Sequence, residues 1–539
     1  MNATEMRDQD APDPRNLNGQ STSTFDVRRR TLAGRRDGSR GKVSLADGLS
    51  ALAAVAISLV AGFGVARLDG LPYGTLVAIL LTMFLLVLLY EWRKYGDPVT
   101  PMGIAAGTGI LLFVLRPITI QRTQITSPGA SADDRYFTTG LEAAGVRALA
   151  MVAIFFATLF IAHYFFLNYR ETWQAARRNA SSIRTSSVFP DQGTEAAARV
   201  VKISRSALVA ASAFTLILNI YLITSLGGLA TYFEGLAFRA SFLQGRVYLT
   251  FTYLPLLVFL VVHVLVRRRY SIGRVWDGPA IFGAVMLLVA TLTTGARGPL
   301  ILGFLLPMLI LKQTGWRPFR SRTVLLLLFA MASAAVSFNI LVRDRVYLGD
   351  SVGRDFASNP IDMILTRLTN GSETKPFDSL IRLNEVAVEN GFAHIWGSSY
   401  LNMPAWFIPR SVWADKPFGG ANTWFTTTYV PRFYGAERIE TSLSAIGEAF
   451  ANFGYVGIVV MAAFLGVLFT AFSRSRWDSG NIRQAAAIVV GGPMVFSVLR
   501  GDSFQSGSTF IMAMVFLLLY TRWLSRSGSH GSTNRLNPV

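Results

Sequence analysis

Arg297 lies in TTGARGPL (293–300), inside a long, almost uninterrupted apolar stretch, and Arg500 closes another such stretch in SVLRGDS. Between them, Arg343 and Arg345 follow a third apolar run. Arg410 and Lys416 fall in FIPRSVWADKPFGG (407–420), and Arg432 in YVPRFYG. Arginine stays charged and presents a planar fork of donors, which suits paired contact with phosphate oxygens. Aromatic residues crowd the same stretch: Trp406, Phe407, Trp413, Phe418, Trp424, Tyr429, Phe433 and Tyr434. Such rings stack on the apolar C–H faces of sugars while their polar tips hydrogen-bond; singly, each also fits an interfacial aromatic belt. Cations for phosphate and rings for sugar together point to a lipid-linked saccharide. One carboxylate, Glu448 in GEAFANFGYVG (447–457), is placed to act as a general base on an acceptor hydroxyl, or else to pair with one of the arginines. Asp415 and His394 are alternatives for the base, and Asp502 beside Arg500 reads as a local ion pair.

These roles require the residues to share one face of a membrane, so topology decides them. Half of the chain is hydrophobic and only 15% is charged, against about a quarter in soluble domains. Apolar runs long enough to cross a bilayer as helices recur along most of the length. We place twelve spans near 47–67, 71–90, 101–117, 145–167, 206–226, 248–266, 278–294, 298–312, 322–342, 444–472, 483–499 and 507–523. A net charge of +19 would suggest nucleic acid in a soluble protein, but here the cations cluster in short segments between apolar runs. The basic connectors are the N-terminal tail, EWRK (91–94), 170–205, RRRYSIGR (267–274), KQTGWRPFRSR (312–322), SRSRWDSGNIR (473–483) and the C-terminus. Threading twelve spans puts all of them on one side, as the positive-inside rule requires. Both termini are then cytoplasmic, and Arg297, Arg343, Arg345, Arg410, Lys416, Arg432 and Arg500 fall on the opposite face.

The expected organisation is a disordered cytoplasmic tail (1–45), nine transmembrane helices (46–342), a large extracytoplasmic loop (343–443), three more helices (444–523) and a short tail (524–539). The loop is rich in Trp, Tyr, Phe and Pro, which argues for short helices on or dipping into the membrane face. No phosphate loop or dinucleotide fingerprint is present, and glycines such as Gly103, Gly107 and Gly109 read as helix-packing positions. With no cysteine and four scattered histidines, thiol chemistry is excluded and no sequence-local metal motif exists. No metal, cofactor or nucleic acid is expected.

The order ARG-PL in an outer turn, PR-x-x-W-x-x-KP in a long outer loop, and then GEAFANFGYVG resembles the Wzy family of O-antigen and oligosaccharide repeat-unit polymerases over roughly residues 280–510. The resemblance implies an all-α, GT-C-like glycosyltransferase of the bacterial cytoplasmic membrane. It would join undecaprenyl-diphosphate-linked repeat units at the outer face, working in membrane lipid beside a flippase and a chain-length regulator. Arg297 matches the arginine that such enzymes use to hold the pyrophosphate. On this basis Arg297, Arg410, Lys416 and Glu448 are the catalytic candidates. Arg343, Arg345, Trp413, Trp424, Arg432 and Arg500 are the substrate-binding ones, and Lys375 in ETKPFD lies on a solvated surface. Two other readings stay open. An O-antigen ligase-type transferase would use the same donor, with His394 as the sole loop histidine. A transporter or flippase for lipid-linked saccharide would need charges along a midplane path, whereas the cations here gather at one face.

Overall fold

The structure, a computed structural model, describes residues 73–95, 99–126, 141–180, 194–236, 242, 251–270, 272, 275–294, 297–313, 376–389, 392–408, 412, 413, 415, 417, 419–430, 441–472 and 482–529. The described residues are helical, with no strand among them. Helix α1 is Tyr73–Tyr95, α2 Pro101–Phe113, α3 Leu115–Thr126, α4 Leu141–Ala180 and α5 Thr194–Ser225; α6 is the short Leu229–Gly235. Helix α7 runs Tyr253–Tyr270, α8 Gly278–Leu292 and α9 Leu306–Gln313. The last is preceded by a helical turn at Arg297–Pro299 and a wide π-helical segment at Leu300–Leu305. Helix α10 is Pro376–Glu389, α11 Ala421–Tyr429, α12 Ser444–Thr470, α13 Ile482–Arg500 and α14 Ser508–Ser529.

Local chemistry explains several boundaries. Thr100 caps α2 by accepting from Gly103 N at 3.0 Å, with Pro101 following, and Asp277 caps α8 by accepting from Ala280 N at 3.0 Å. Helices α1 and α7 end on Arg93 and Lys94 and on Arg267, Arg268 and Arg269, cations that complement the carbonyl end of a helix.

Seven helices among the described residues are long and apolar enough to cross a membrane: Tyr73–Tyr95, Pro101–Ile120, Ala143–Arg170, Glu195–Ser225, Ser444–Thr470, Ile482–Arg500 and Ser503–Ser527. The chain is therefore a multi-pass membrane protein. Three further expected spans are shorter or broken: Tyr253–Tyr270 ends on three arginines, Gly278–Leu292 is a shorter apolar helix, and 298–312 is split into three pieces. The spans expected at 47–67 and 322–342, the tail 1–45 and residues 343–375 of the large loop lie outside the described residues.

The basic connector 170–205 differs from a simple loop. Helix α4 continues to Ala180 and α5 begins at Thr194, because Arg, Glu, Gln and Ala are good helix formers once the backbone leaves lipid. Within 343–443 the described residues form α10, two short turns at Ser398–Leu401 and Met403–Phe407, and α11. Helix α10 buries Phe377, Leu380, Ile381 and Leu383. It is tied to α3 by a paired ion contact, Arg116 Nε to Asp378 Oδ1 at 2.9 Å and Nη2 to Oδ2 at 2.7 Å.

Two apolar cores organise the helices. One joins α1, α2, α3, α4, α10, α11, α12 and the C-terminal end of α13; the other joins α5, α7, α8, α9, the rest of α13 and α14. Phe214, Ile217, Ile220 and Tyr221 of α5 remain exposed, as the outer face of a helix in lipid does.

Candidate functional site

Helix α12 does not run straight. Phe453 (φ −141°, ψ 19°) and Gly454 (φ 63°, ψ −149°) leave helical geometry in the middle of GEAFANFGYVG. Only glycine takes that φ at no steric cost. Gly457 is required for a second reason: a Cβ there would sit 2.2 Å from the Ala449 carbonyl oxygen. The break frees the carbonyl of Ala451, which accepts from Ile395 N at 3.0 Å and lies 3.3 Å from His394 Nδ1.

The half-turns before the break carry a closed polar network. Glu448 is buried. Its Oε1 accepts from Ser399 Oγ at 2.7 Å and Ser503 Oγ at 2.6 Å, and its Oε2 accepts from Ser503 N at 2.7 Å. Asn452 donates from Nδ2 to Ser399 Oγ at 2.9 Å and to the Glu448 carbonyl at 2.7 Å. Its Oδ1 accepts from Gly397 N at 2.7 Å, so the amide uses both ends. Among the described residues the partners of Glu448 are thus two serines; the side chains of Arg297, Arg343, Arg345, Arg410 and Arg432, its expected alternatives, lie outside the described residues.

The turn after α13 is clamped on three sides. The Arg500 carbonyl accepts from Ser442 Oγ at 2.5 Å, and Ser503 is held by Glu448. Asp502 caps the π-helical turn Ser503–Gly507 by accepting from Gln505 N at 3.1 Å, and its other oxygen accepts from Asn422 N at 3.1 Å. Asp502 therefore spends both oxygens on backbone amides, of Asn422 and Gln505, where a local ion pair with Arg500 was expected; a short carboxylate side chain readily caps nearby backbone N–H groups. Burial pushes the Asp502 carboxyl above the ordinary range, and the amide donors pull it back. Burial first, then the nearby Glu448 charge, pushes the Tyr400 hydroxyl well up, so it stays protonated.

The loop between α10 and α11 is stitched to the same place. Ser508 Oγ donates to the Met403 carbonyl at 3.4 Å, and Trp406 packs edge-on against Phe251, with centroids 5.5 Å apart. Phe392, His394, Trp424, Tyr429 and Phe450 form a contiguous ring cluster. The two non-glycine residues with positive φ among the described residues, Trp396 (45°) and Ser444 (65°), both lie in this assembly. Such outliers collect where a fold holds a residue in place for a purpose.

Of the sequence candidates, Glu448, Trp424 and Arg500 come together here. Trp424 is half-buried, edge-on to Tyr429 at 5.3 Å. Trp413 and Asp415 are exposed. Arg343, Arg345, Arg410, Lys416 and Arg432, with the control Lys375, lie outside the described residues. For Arg297 the backbone alone is described: it opens the helical turn before Leu300–Leu305, a segment that packs against α13. The approach to that turn is pinned, because Thr293 donates to Asn219 Oδ1 at 2.5 Å and its carbonyl accepts from Tyr232. It is thus the segment following Arg297 that neighbours the helix ending at Arg500. Sequence reasoning missed Ser399, Ser503 and Trp396. Isolated serines carry no signal, and the only hint at Trp396 is the glycine that follows it.

Residues 424–527, from α11 through nearly all of α14, match the family model O-antigen polysaccharide polymerase Wzy. That stretch, about a fifth of the chain, is what is similar to the Wzy polymerases. It includes Glu448, Asn452, Gly454, Arg500 and Asp502, so the clamped turn and the broken helix both fall within the matched residues. The expected resemblance began near 280; the Wzy match begins later and leaves out Arg297, Arg410 and Lys416. Comparison with curated proteins and comparison with solved structures return no match.

Proposed function

We propose that this chain polymerises lipid-linked oligosaccharide repeat units at the outer face of the bacterial cytoplasmic membrane. The observation that carries the reading is a Wzy-like segment built into a multi-pass helical membrane protein. The donor is a glycan on a polyprenyl diphosphate, undecaprenyl diphosphate by family resemblance. The acceptor is a second lipid-linked unit. An acceptor hydroxyl oxygen bonds to the anomeric carbon of the donor, the bond from that carbon to phosphate oxygen breaks, and the hydroxyl proton passes to a base.

The leaving diphosphate carries the developing charge. Cations aimed at it stabilise the transition state more than the ground state. Arg297, Arg410 and Lys416 take that role, with Arg343, Arg345, Arg432 and Arg500 as further contacts and Trp413 and Trp424 beside the sugar. Glu448 acts as a positioning residue: both of its oxygens are committed to Ser399 and Ser503, and it holds the turn that carries Arg500.

The test is purified protein with an oligosaccharide on polyprenyl diphosphate, scored for a ladder of products by electrophoresis. Stepwise extension is expected. Transfer of one preformed chain to a different acceptor without a ladder would support a ligase, and substrate crossing the bilayer unchanged would support a flippase; either overturns the proposal.

A further inference from the structure

The strained turn at Trp396 is not explained by packing. Its φ of 45° costs a bulky side chain about 1–2 kcal/mol, yet the indole it orients is 72% exposed. The turn is over-determined from below: Gly397 (φ 84°) gives its N–H to Asn452 Oδ1 at 2.7 Å, and a Cβ on Gly397 would meet Phe453 at 3.1 Å. Phe453, itself released from helical geometry by the break in α12, stands 6.4 Å from the indole and is 42% exposed. Tyr400 stacks beneath it at 6.5 Å. The broken helix, the buried Glu448–Ser399–Asn452 network and two positive-φ residues, Trp396 and Gly397, thus combine to present the face of one indole, with the Phe453 ring inclined at 67° beside it.

A polar edge lies beside that face. The His394 ring is 5.7 Å from the indole, and its Nδ1 is 3.3 Å from the Ala451 carbonyl. That oxygen can only accept, so Nδ1 carries the proton and Nε2 is the nitrogen left for a ligand. Among the described residues Nε2 has no partner. A tryptophan of the membrane interface needs neither a strained backbone nor a buried polar scaffold. A rigid aromatic face with a ring nitrogen at its edge matches a pyranose instead, which offers a C–H face and ring hydroxyls at its rim.

We propose that the Trp396 indole face, flanked by Phe453 and the Nε2 edge of His394, is a subsite for one pyranose ring of the glycan substrate. The proposal rests on the polymerase reading for what the sugar belongs to, but its binding test does not require turnover.

The experiment uses the full chain in lipid nanodiscs and a panel of methyl glycopyranosides, which lack both lipid and phosphate, read by saturation-transfer NMR. Wild type transfers saturation to the C–H face of at least one pyranoside, and Trp396→Gly abolishes it. Because glycine relieves the positive φ, Trp396→Gly is expected to unfold at the same or a higher temperature, so lost binding cannot be put down to misfolding. Trp396→Phe retains part of the transfer. In polymerisation assays Trp396→Gly raises the half-saturating concentration of lipid-linked substrate about tenfold and changes kcat less than about twofold. Unchanged transfer in Trp396→Gly, no transfer from any pyranoside in wild type, or broadening of a fluorotryptophan at 396 by spin-labelled acyl chains would each overturn the subsite. Pyranoside transfer by a wild type that makes no ladder would keep the subsite and remove the polymerase reading.

Discussion

Two buried polar networks in this protein use nearly the same chemistry to different ends. At the join of α5, α7 and α8, Asp277 accepts from Arg267 Nη1 at 2.9 Å and caps α8 with its other oxygen, which lies 3.3 Å from His263 Nε2. Ser204 Oγ is 2.9 Å from His263 Nδ1. By inventory this is a serine, a histidine and an aspartate in a row. Ser204 and His263 are fully buried, however, and Ser204 also donates to the Val201 carbonyl, so no substrate reaches them. The Glu448 network is as buried and as well satisfied. It differs in what it supports: a broken helix, two positive-φ residues and an exposed indole. Satisfied polar groups in an apolar interior hold helices in register; strain and exposure above such a network mark the place where something else binds.

Asp277 separates the two networks with the largest expected effect. Asp277→Ala removes the helix cap and the carboxylate facing buried Arg267, and is expected to cost about 3–5 kcal/mol. Thermal unfolding in detergent reads the loss, while polymerisation per folded molecule stays near wild type. A large fall in specific activity with unchanged stability would make the first network functional after all. Next in size is Glu448→Ala, which strands two hydroxyls and the Ser503 amide and is expected to cost about 2–4 kcal/mol together with most of the activity. Glu448→Gln, Ser399→Ala and Ser503→Ala separate positioning from proton abstraction. A positioning role predicts that activity falls step by step with the hydrogen bonds lost, whereas a base leaves the serine variants active and only Glu448→Gln dead. The smallest effect is at the helix break: Gly454→Ala, at φ 63°, should lower stability by about 1–2 kcal/mol, and no measurable loss would mean the break is not held by that residue.

The helical, multi-pass architecture was legible because apolar runs of bilayer length have one common solution, and charge bias orders them. Glu448 was legible as a carboxylate among apolar neighbours. Its hydrogen-bond partners were not, since Ser399 and Ser503 stand 49 and 55 residues away and serine is unremarkable in any loop. The split of 298–312 was equally hidden: hydropathy does not distinguish a straight helix from one interrupted by a π-helical segment, and Gly298–Pro299 was the only local signal. The strain at Trp396 is a property of φ, which no residue pattern spells out beyond the glycine beside it. The arginines follow from topology and from the family resemblance; Arg343, Arg345, Arg410 and Arg432 lie outside the described residues, and their convergence on a diphosphate is a proposal.

Binding of undecaprenyl diphosphate carrying no sugar tests that convergence most directly. The comparison is among wild type, Arg297→Ala, Arg410→Ala and Lys375→Ala at equal folded protein. Each arginine variant should bind about 10- to 100-fold more weakly, as expected for lost charge-assisted hydrogen bonds, with Lys375→Ala indistinguishable from wild type. Equal affinity in all four proteins would contradict a cationic grip on the diphosphate.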